Sequence, residues 1–319
     1  MDSPPESSSI RSSLRAVFAE AGRSAFITHD PTNRPWLRLL GLVALSGVII
    51  VGLIAALGTV IALLATASPN LISADLLSEA IPDTPDRLYR ESAFLIVLAT
   101  TLGALALSIL AAAAIVYGRP TAAFQWPGRK PSLSLLASGF VIMALGSLTL
   151  WPVSWLIEGG IDPAPILNPD YLLGSRLTYA AIAALMLLIA AAAEEIVFRG
   201  VLLRILGGLT QRAWLLVLIN GVLFSLIHLD PDPAAFVARA VSGMVWTWAA
   251  LRLGGIEFAI GGHWANNLLI ALLAEPMSEA AAVDQKIPAV YLIPELIIAV
   301  VMVIATEWIV RRRRAAETA

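Results

Sequence analysis

Cysteine is absent from this 319-residue chain, so it can form neither a disulfide nor a thiolate metal site. Charge is scarce too. Asp, Glu, Lys and Arg make up 14% of the residues, where soluble domains carry roughly 25%. With 58% hydrophobic residues and a mean hydropathy of +0.82, the composition excludes an ordinary soluble domain and points to a polytopic membrane protein. A net charge of −2, without a basic patch interleaved with aromatics, gives no sign of a nucleic-acid partner. Histidine occurs three times, at His29, His228 and His263, and no His-Glu-x-x-His is present. No internal repeat is visible, which removes the paired-repeat signature of many secondary transporters.

What the chain has in abundance is long apolar runs. A membrane helix needs about 20 apolar residues, because in lipid a helix satisfies its own backbone. Runs near this length cover 37–66, 92–117, 133–157, 177–204, 213–229, 234–251, 256–274 and 289–310. The expected fold is an all-α membrane protein, a polytopic bundle of about eight transmembrane helices. The sixth and seventh runs are the weakest, being short and interrupted or flanked by Arg239, Arg252, Glu257 and Gly261-Gly262.

Basic residues set the expected orientation. With the N-terminus inside, fifteen fall on inside ends and loops: Arg11, Arg15, Arg23, Arg34, Arg38, Arg119, Arg129, Lys130, Arg204, Arg212, Arg252 and Arg311 to Arg314. Five fall outside: Arg87, Arg90, Arg176, Arg239 and Lys286. Both termini are therefore expected in the cytoplasm, with the protein integral to a membrane. The chain divides into a polar N-terminal tail (1–35), three helices with loops (36–174), a core (175–275), and a last helix with a basic tail (276–319). The loop 68–91, with Pro69, Pro82 and Pro85, is the largest on the outside. Within the tail, Ile10, Leu14, Val17, Phe18 and Ala21 recur at helical spacing. An interfacial amphipathic helix and a mostly disordered segment both fit. The run that follows is too long for a cleavable signal peptide.

The fourth run carries the chemistry. Glu194, Glu195 and Arg199 lie inside an otherwise apolar helix, and ionisable groups at membrane depth are functional by default. Residues four apart share a helix face, so Arg199 neutralises Glu195 within its own helix. Glu194 is turned by about 100° and is left as the working carboxylate. A solvated helix end is the plainer reading, but Ile196, Val197 and Phe198 continue the apolar run. Taken singly, His228 and His263 read as hydrogen-bonded core histidines. Taken with the acidic pair, and with Asn266-Asn267 beside His263, they read as parts of one site. Glu257, Glu295 and Glu307 take structural or interfacial roles, and Arg311 to Arg314 sit on anionic headgroups.

Three pairs now stand in order: Glu194-Glu195-x-x-x-Arg199, Phe224-x-x-x-His228 and His263-x-x-x-Asn267. Together they resemble the three motifs of the CPBP (Abi) family, which includes the type II CAAX prenyl endopeptidases and bacteriocin-processing or self-immunity proteins of bacteria. The resemblance covers roughly 175–275, which it marks as a catalytic core, and fits a bacterial inner membrane. It implies an intramembrane endopeptidase acting on a hydrophobic or lipidated peptide that arrives through the bilayer.

Two chemistries suit these residues. In the first, Glu194 and His228 activate water without metal, while His263 and Asn267 stabilise the oxyanion. In the second, zinc is the cofactor, held by His228, His263 and Glu194. The missing His-Glu-x-x-His and the nearby Arg199 favour the first. A proton-coupled transporter and a non-catalytic bacteriocin-immunity partner are the alternatives from other classes. In simple antiparallel spans, however, Glu194 lies towards the inside and His228 towards the outside, and any hydrolytic reading requires them to meet; a fourth helix running on to about Gly207, with tilt of the fifth, would bring them together.

Overall fold

The computed structural model describes residues 6–27, 35–67, 87–158, 164, 166–274, 277–280 and 288–318. His29, Pro69, Pro82, Pro85 and Lys286 lie outside the described residues. The helices in chain order are α1 (Glu6–Ala21), α2 (Pro35–Ala67), α3 (Arg87–Tyr117), α4 (Ala122–Gln125), α5 (Leu133–Glu158) and α6 (Leu173–Glu195). A π-helical stretch, Ile196–Leu202, joins α6 to α7 (Leu203–Leu209). Then come α8 (Ala213–Leu226), α9 (Pro233–Leu253) and α10 (Glu257–Leu269). A second π stretch (Ile270–Ala274) follows α10, and α11 (Met277–Ala280) and α12 (Leu292–Thr318) close the chain. No strand occurs among the described residues.

This is a helical membrane bundle. Among the described residues, five helices are long and apolar enough to cross a membrane: Trp36–Val60, Arg87–Tyr117, Leu173–Leu209, Pro233–Leu253 and Ala289–Thr318. Leu133–Thr149 and Ala213–Leu226 are shorter apolar helices. The sixth run, weak by sequence, is thus a full-length helix. Its start is set by Asp232, whose side chain accepts from the Ala235 N–H at 2.8 Å with Pro233 at the first helical position. Its end is set by Gly254 at φ +67°. The seventh run, α10 with its π extension, carries the polar residues Glu257, His263, Asn266 and Asn267 and belongs to neither set. The helix α3 begins at Arg87, inside the stretch expected as loop, with Glu91 fully buried.

Small residues bring the central helices together, as lipid-embedded packing requires. A Cβ on Gly243 of α9 would lie 2.8 Å from the Cα of Gly221 on α8. A Cβ on Gly139 of α5 would overlap the Phe258 carbonyl, and one on Gly261 of α10 the Leu136 carbonyl. By contrast α2 is only 6% buried over its apolar window and meets the bundle through α3. Gly243→Val should therefore force α8 and α9 apart. Overpacking of this kind costs about 1–3 kcal/mol, and a lowered thermal midpoint in detergent is the expected readout. An unchanged midpoint would contradict the close crossing.

Of the two readings of the tail, the structure has the helix over Glu6–Ala21. It docks on one face of the bundle. Phe18 meets Trp248 at 5.1 Å between ring centroids, and Phe26 and Ile27 pack on Gly207. Glu20 pairs with Arg252 at 3.0 Å and with Arg314, while Arg252 also grips Glu307 at 2.7 Å. Glu307 and Glu257, the latter paired with Arg129, thus serve as structural ion-pair partners. The same contacts bring α1 and the end of α12 to one face.

Candidate active site

The geometry starts from a length. The helix that carries Glu194 does not stop near Arg204. It runs through the π stretch to Leu209 as one 37-residue rod. Arg204 is no helix end: its side chain is buried and donates to the Ala123 carbonyl at 2.6 Å. Fifteen residues separate Glu194 from Leu209, and fifteen separate Ala213 from His228. At about 1.5 Å per residue, the descent and the return are of similar length, and the two side chains come within electrostatic reach of each other. Cross-contacts follow that register, with the Phe198 and Phe224 rings 5.2 Å apart. The sequence-level conflict between Glu194 and His228 disappears for this reason.

Glu195 and Arg199 are both fully buried, and Arg199 Nη1 donates to Glu195 Oε1 at 2.9 Å. This is the i,i+4 pair that the spacing indicates. The same Oε1 also accepts from His263 Nδ1 at 2.9 Å, across 68 residues of sequence. Glu195 is therefore more than a neutralising partner for Arg199, because it fixes the orientation of the His263 ring. A carboxylate only accepts, so Nδ1 of His263 carries the proton and Nε2 points onward. That Nε2 lies 3.9 Å from Glu194 Oε2, which is buried and makes no hydrogen bond among the described residues. Arg199 spends its second amino group on the Gly243 carbonyl at 3.0 Å.

Phe224 organises the opposite wall. Its ring centroid is 4.5 Å from the Arg199 guanidinium carbon, 5.2 Å from the His228 ring and 5.8 Å from the His263 ring. Its carbonyl lies 2.8 Å from His228 Nδ1, which places the proton there and leaves Nε2 as an acceptor. His228 is within electrostatic reach of Glu194 and His263. Five of the six residues singled out by sequence thus gather around Phe224: Glu194, Glu195, Arg199, His228 and His263. Asn267 sits one turn along α10 from His263, half-buried, and its Oδ1 accepts from Asn266 at 3.2 Å. No hydrogen bond among the described residues joins Asn267 to the other five. Nor does any group of three His, Cys, Asp or Glu among them have the spacing to hold a metal ion.

The loop after His228 is braced from outside the spans. Leu229 adopts φ +54°, and Asp230 accepts from Arg239 at 2.6 Å and from the Asp232 N–H at 2.9 Å. Burial alone would raise the Asp230 carboxyl. The Arg239 and Asp232 hydrogen bonds and the charges of Arg239 and His228 outweigh it and hold the group below its ordinary range. A depressed folded-state value stabilises the fold above the unfolded value, and that contribution is lost as pH falls through the folded one. Hydrogen exchange over 227–232 should therefore stay slow from neutral pH to about pH 4 and quicken below it. Asp230→Asn should exchange fast even at pH 7. Equal protection in that variant would show that the clasp is idle.

Sequence reasoning missed Asn220 and Thr247. Asn220 is fully buried on α8, donates to the Phe198 carbonyl at 2.9 Å and lies 3.1 Å from the Thr247 hydroxyl. A lone amide within the apolar run Leu215–Leu226 was the available signal.

Residues 176–269 match the family model described as type II CAAX prenyl endopeptidase Rce1-like. This stretch of the chain is similar to that family. The matched segment holds all three residue pairs, both α8 and α9, and nearly all of the helix that carries Glu194. The helices α1, α2, α3 and α12 lie outside it. The chain is also similar to the uncharacterized protein YyaK of Bacillus subtilis (strain 168), at 29% identity over 180 residues. That alignment covers 54% of this chain and 58% of the relative's length. No solved structure matches. The peptidase class in the family description is the class to which the three motif pairs also point, and the matched segment sits in an integral membrane protein.

Proposed function

We propose that the protein is an intramembrane endopeptidase that hydrolyses a peptide bond in a hydrophobic or lipidated peptide, in a bacterial plasma membrane with both termini cytoplasmic. One observation carries the reading. His263, oriented by Glu195, aims Nε2 at a carboxylate oxygen of Glu194 that makes no hydrogen bond among the described residues, with His228 against the Phe224 ring and within electrostatic reach of the same carboxylate. In this reading Glu194 and His228 hold the attacking water between them. Glu194 takes its proton as the carbonyl carbon is attacked. His263, once its Nε2 receives that proton from Glu194, and Asn267 donate to the developing oxyanion, and the proton then goes to the leaving amine. Asn267 reaches it by a side-chain rotation away from Asn266.

The Nδ1 contacts of both histidines leave their Nε2 atoms free, as a zinc ligand would also have them, so they do not decide between the two chemistries. Arg199, a cation beside the carboxylates, counts against a dication. No step is routed through metal here. The positive bias of the expected inside loops, and the meeting of Glu20 with Arg314, support the orientation.

The test is cleavage of hydrophobic and lipidated peptides by the purified full-length protein in liposomes, read by mass spectrometry. Cleavage should survive a tight zinc chelator, and stoichiometric metal should not copurify. Activity lost to the chelator and restored by added zinc would overturn the metal-free mechanism. Absence of cleavage across peptide classes would favour the immunity-partner alternative.

A further inference from the structure

We infer that Asn220 and Thr247 are positioning residues of the proposed site, holding the π turn after Glu195 so that Glu195 keeps His263 in a single tautomer. The inference takes its purpose from the peptidase reading.

A π turn inserts one extra residue into a helix and spends hydrogen-bond quality to do so, which is why such turns mark functional positions. Here the turn begins immediately after Glu194 and Glu195 and contains Arg199. Without a brace, the stretch would relax to α-helix and rotate Arg199 by a large fraction of a turn relative to α6. The brace is visible. The Phe198 carbonyl accepts from the Leu203 N–H, five residues on, and from Asn220 Nδ2 at 2.9 Å. Asn220 Oδ1 faces the Thr247 hydroxyl at 3.1 Å, and that hydroxyl is also 2.8 Å from the Gly243 carbonyl. The Gly243 carbonyl in turn accepts from Arg199. One continuous polar path therefore runs Phe198 carbonyl, Asn220, Thr247, Gly243 carbonyl, Arg199, Glu195, His263. It ties α8, α9 and α10 to the π turn, and Asn220, Thr247, Arg199 and Glu195 are all fully buried. Asn220 and Thr247 touch neither carboxylate nor imidazole. Their leverage is on geometry.

The chain's three histidines make the test tractable. Full-length protein with ¹⁵N-labelled histidine, reconstituted in bilayers, gives at most three sets of imidazole lines. His29→Gln and His228→Gln assign them. Wild-type His263 should show one protonated Nδ1 line. In Thr247→Val and in Asn220→Leu, that line should be lost to a mixture of both tautomers, and Thr247→Ser should restore it. If Asn220→Leu does not fold, Thr247→Val carries the test. Cleavage, where measurable, should drop at least tenfold in kcat at constant KM in the same variants. A folded variant with an unchanged His263 line, whatever its melting temperature, would make these residues merely structural and overturn the inference. A changed line in a protein that cleaves nothing would uphold it and count against the peptidase reading instead.

Discussion

Glu194→Gln should abolish peptide cleavage and leave the fold intact. The amide keeps the volume and removes the base. General-base catalysis contributes about 10²–10⁴-fold, so residual activity should fall by that factor. The thermal midpoint should stay near wild type, because Glu194 Oε2 holds no hydrogen bond in the described structure and its side chain is 16% exposed. His228→Ala should act in the same direction, since the imidazole shares the water. Quantitative turnover of a cleaved peptide by Glu194→Gln would refute the assignment, and Glu195 would then have to be considered as the base. That alternative starts at a disadvantage: Glu195 Oε1 is already shared by Arg199 and His263.

How much of this was legible in the sequence depends on the range of each interaction. The bundle was, because eight apolar runs impose helices when lipid is the solvent. So was the Glu195–Arg199 pair, which is a local consequence of helical spacing. The length of the Glu194 helix was legible only as a requirement of the chemistry, an extension to about Gly207, and not from hydropathy. Arg204 reads as the charged end of a span, and only the Ala123 carbonyl, 81 residues away, explains why it is buried instead. The second role of Glu195 depends on His263, and the depth of His228 depends on a turn between Leu209 and Ala213 whose position hydropathy cannot fix. The π turn was also hidden. Its sequence, Ile196 to Leu202, is as compatible with α-helix, and the donor that completes it belongs to another helix. The tail left two readings open because an amphipathic stripe does not name its partner, which turned out to be Trp248, Arg252 and Arg314.

The second large effect concerns stability. Arg199→Met should destabilise the protein by about 3–5 kcal/mol, the usual cost of stranding one member of a buried ion pair. The variant leaves Glu195 fully buried with His263 as its remaining partner, and it also removes the guanidinium from the face of Phe224. Glu195→Gln strands the cation in turn, leaving it the Gly243 carbonyl, the Phe224 and Phe198 rings and the more distant charge of Glu194. Because each single variant is dominated by an unpaired charge, the double variant Glu195→Gln/Arg199→Met should be less destabilised than the sum of the two. Replacing a buried pair by groups of similar volume is often close to neutral. Thermal and denaturant unfolding of the four proteins in one detergent completes the cycle. Coupling well above 1 kcal/mol is expected for groups in direct contact. Strictly additive losses would mean that Glu195 and Arg199 are stabilised independently, and that the acidic helix does not owe its place in the membrane to this pair. The cleavage assay separates the roles further. The double variant should fold and yet lose most of its activity, since a neutral amide without Arg199 beside it holds His263 against Glu194 more weakly than the ionised carboxylate does.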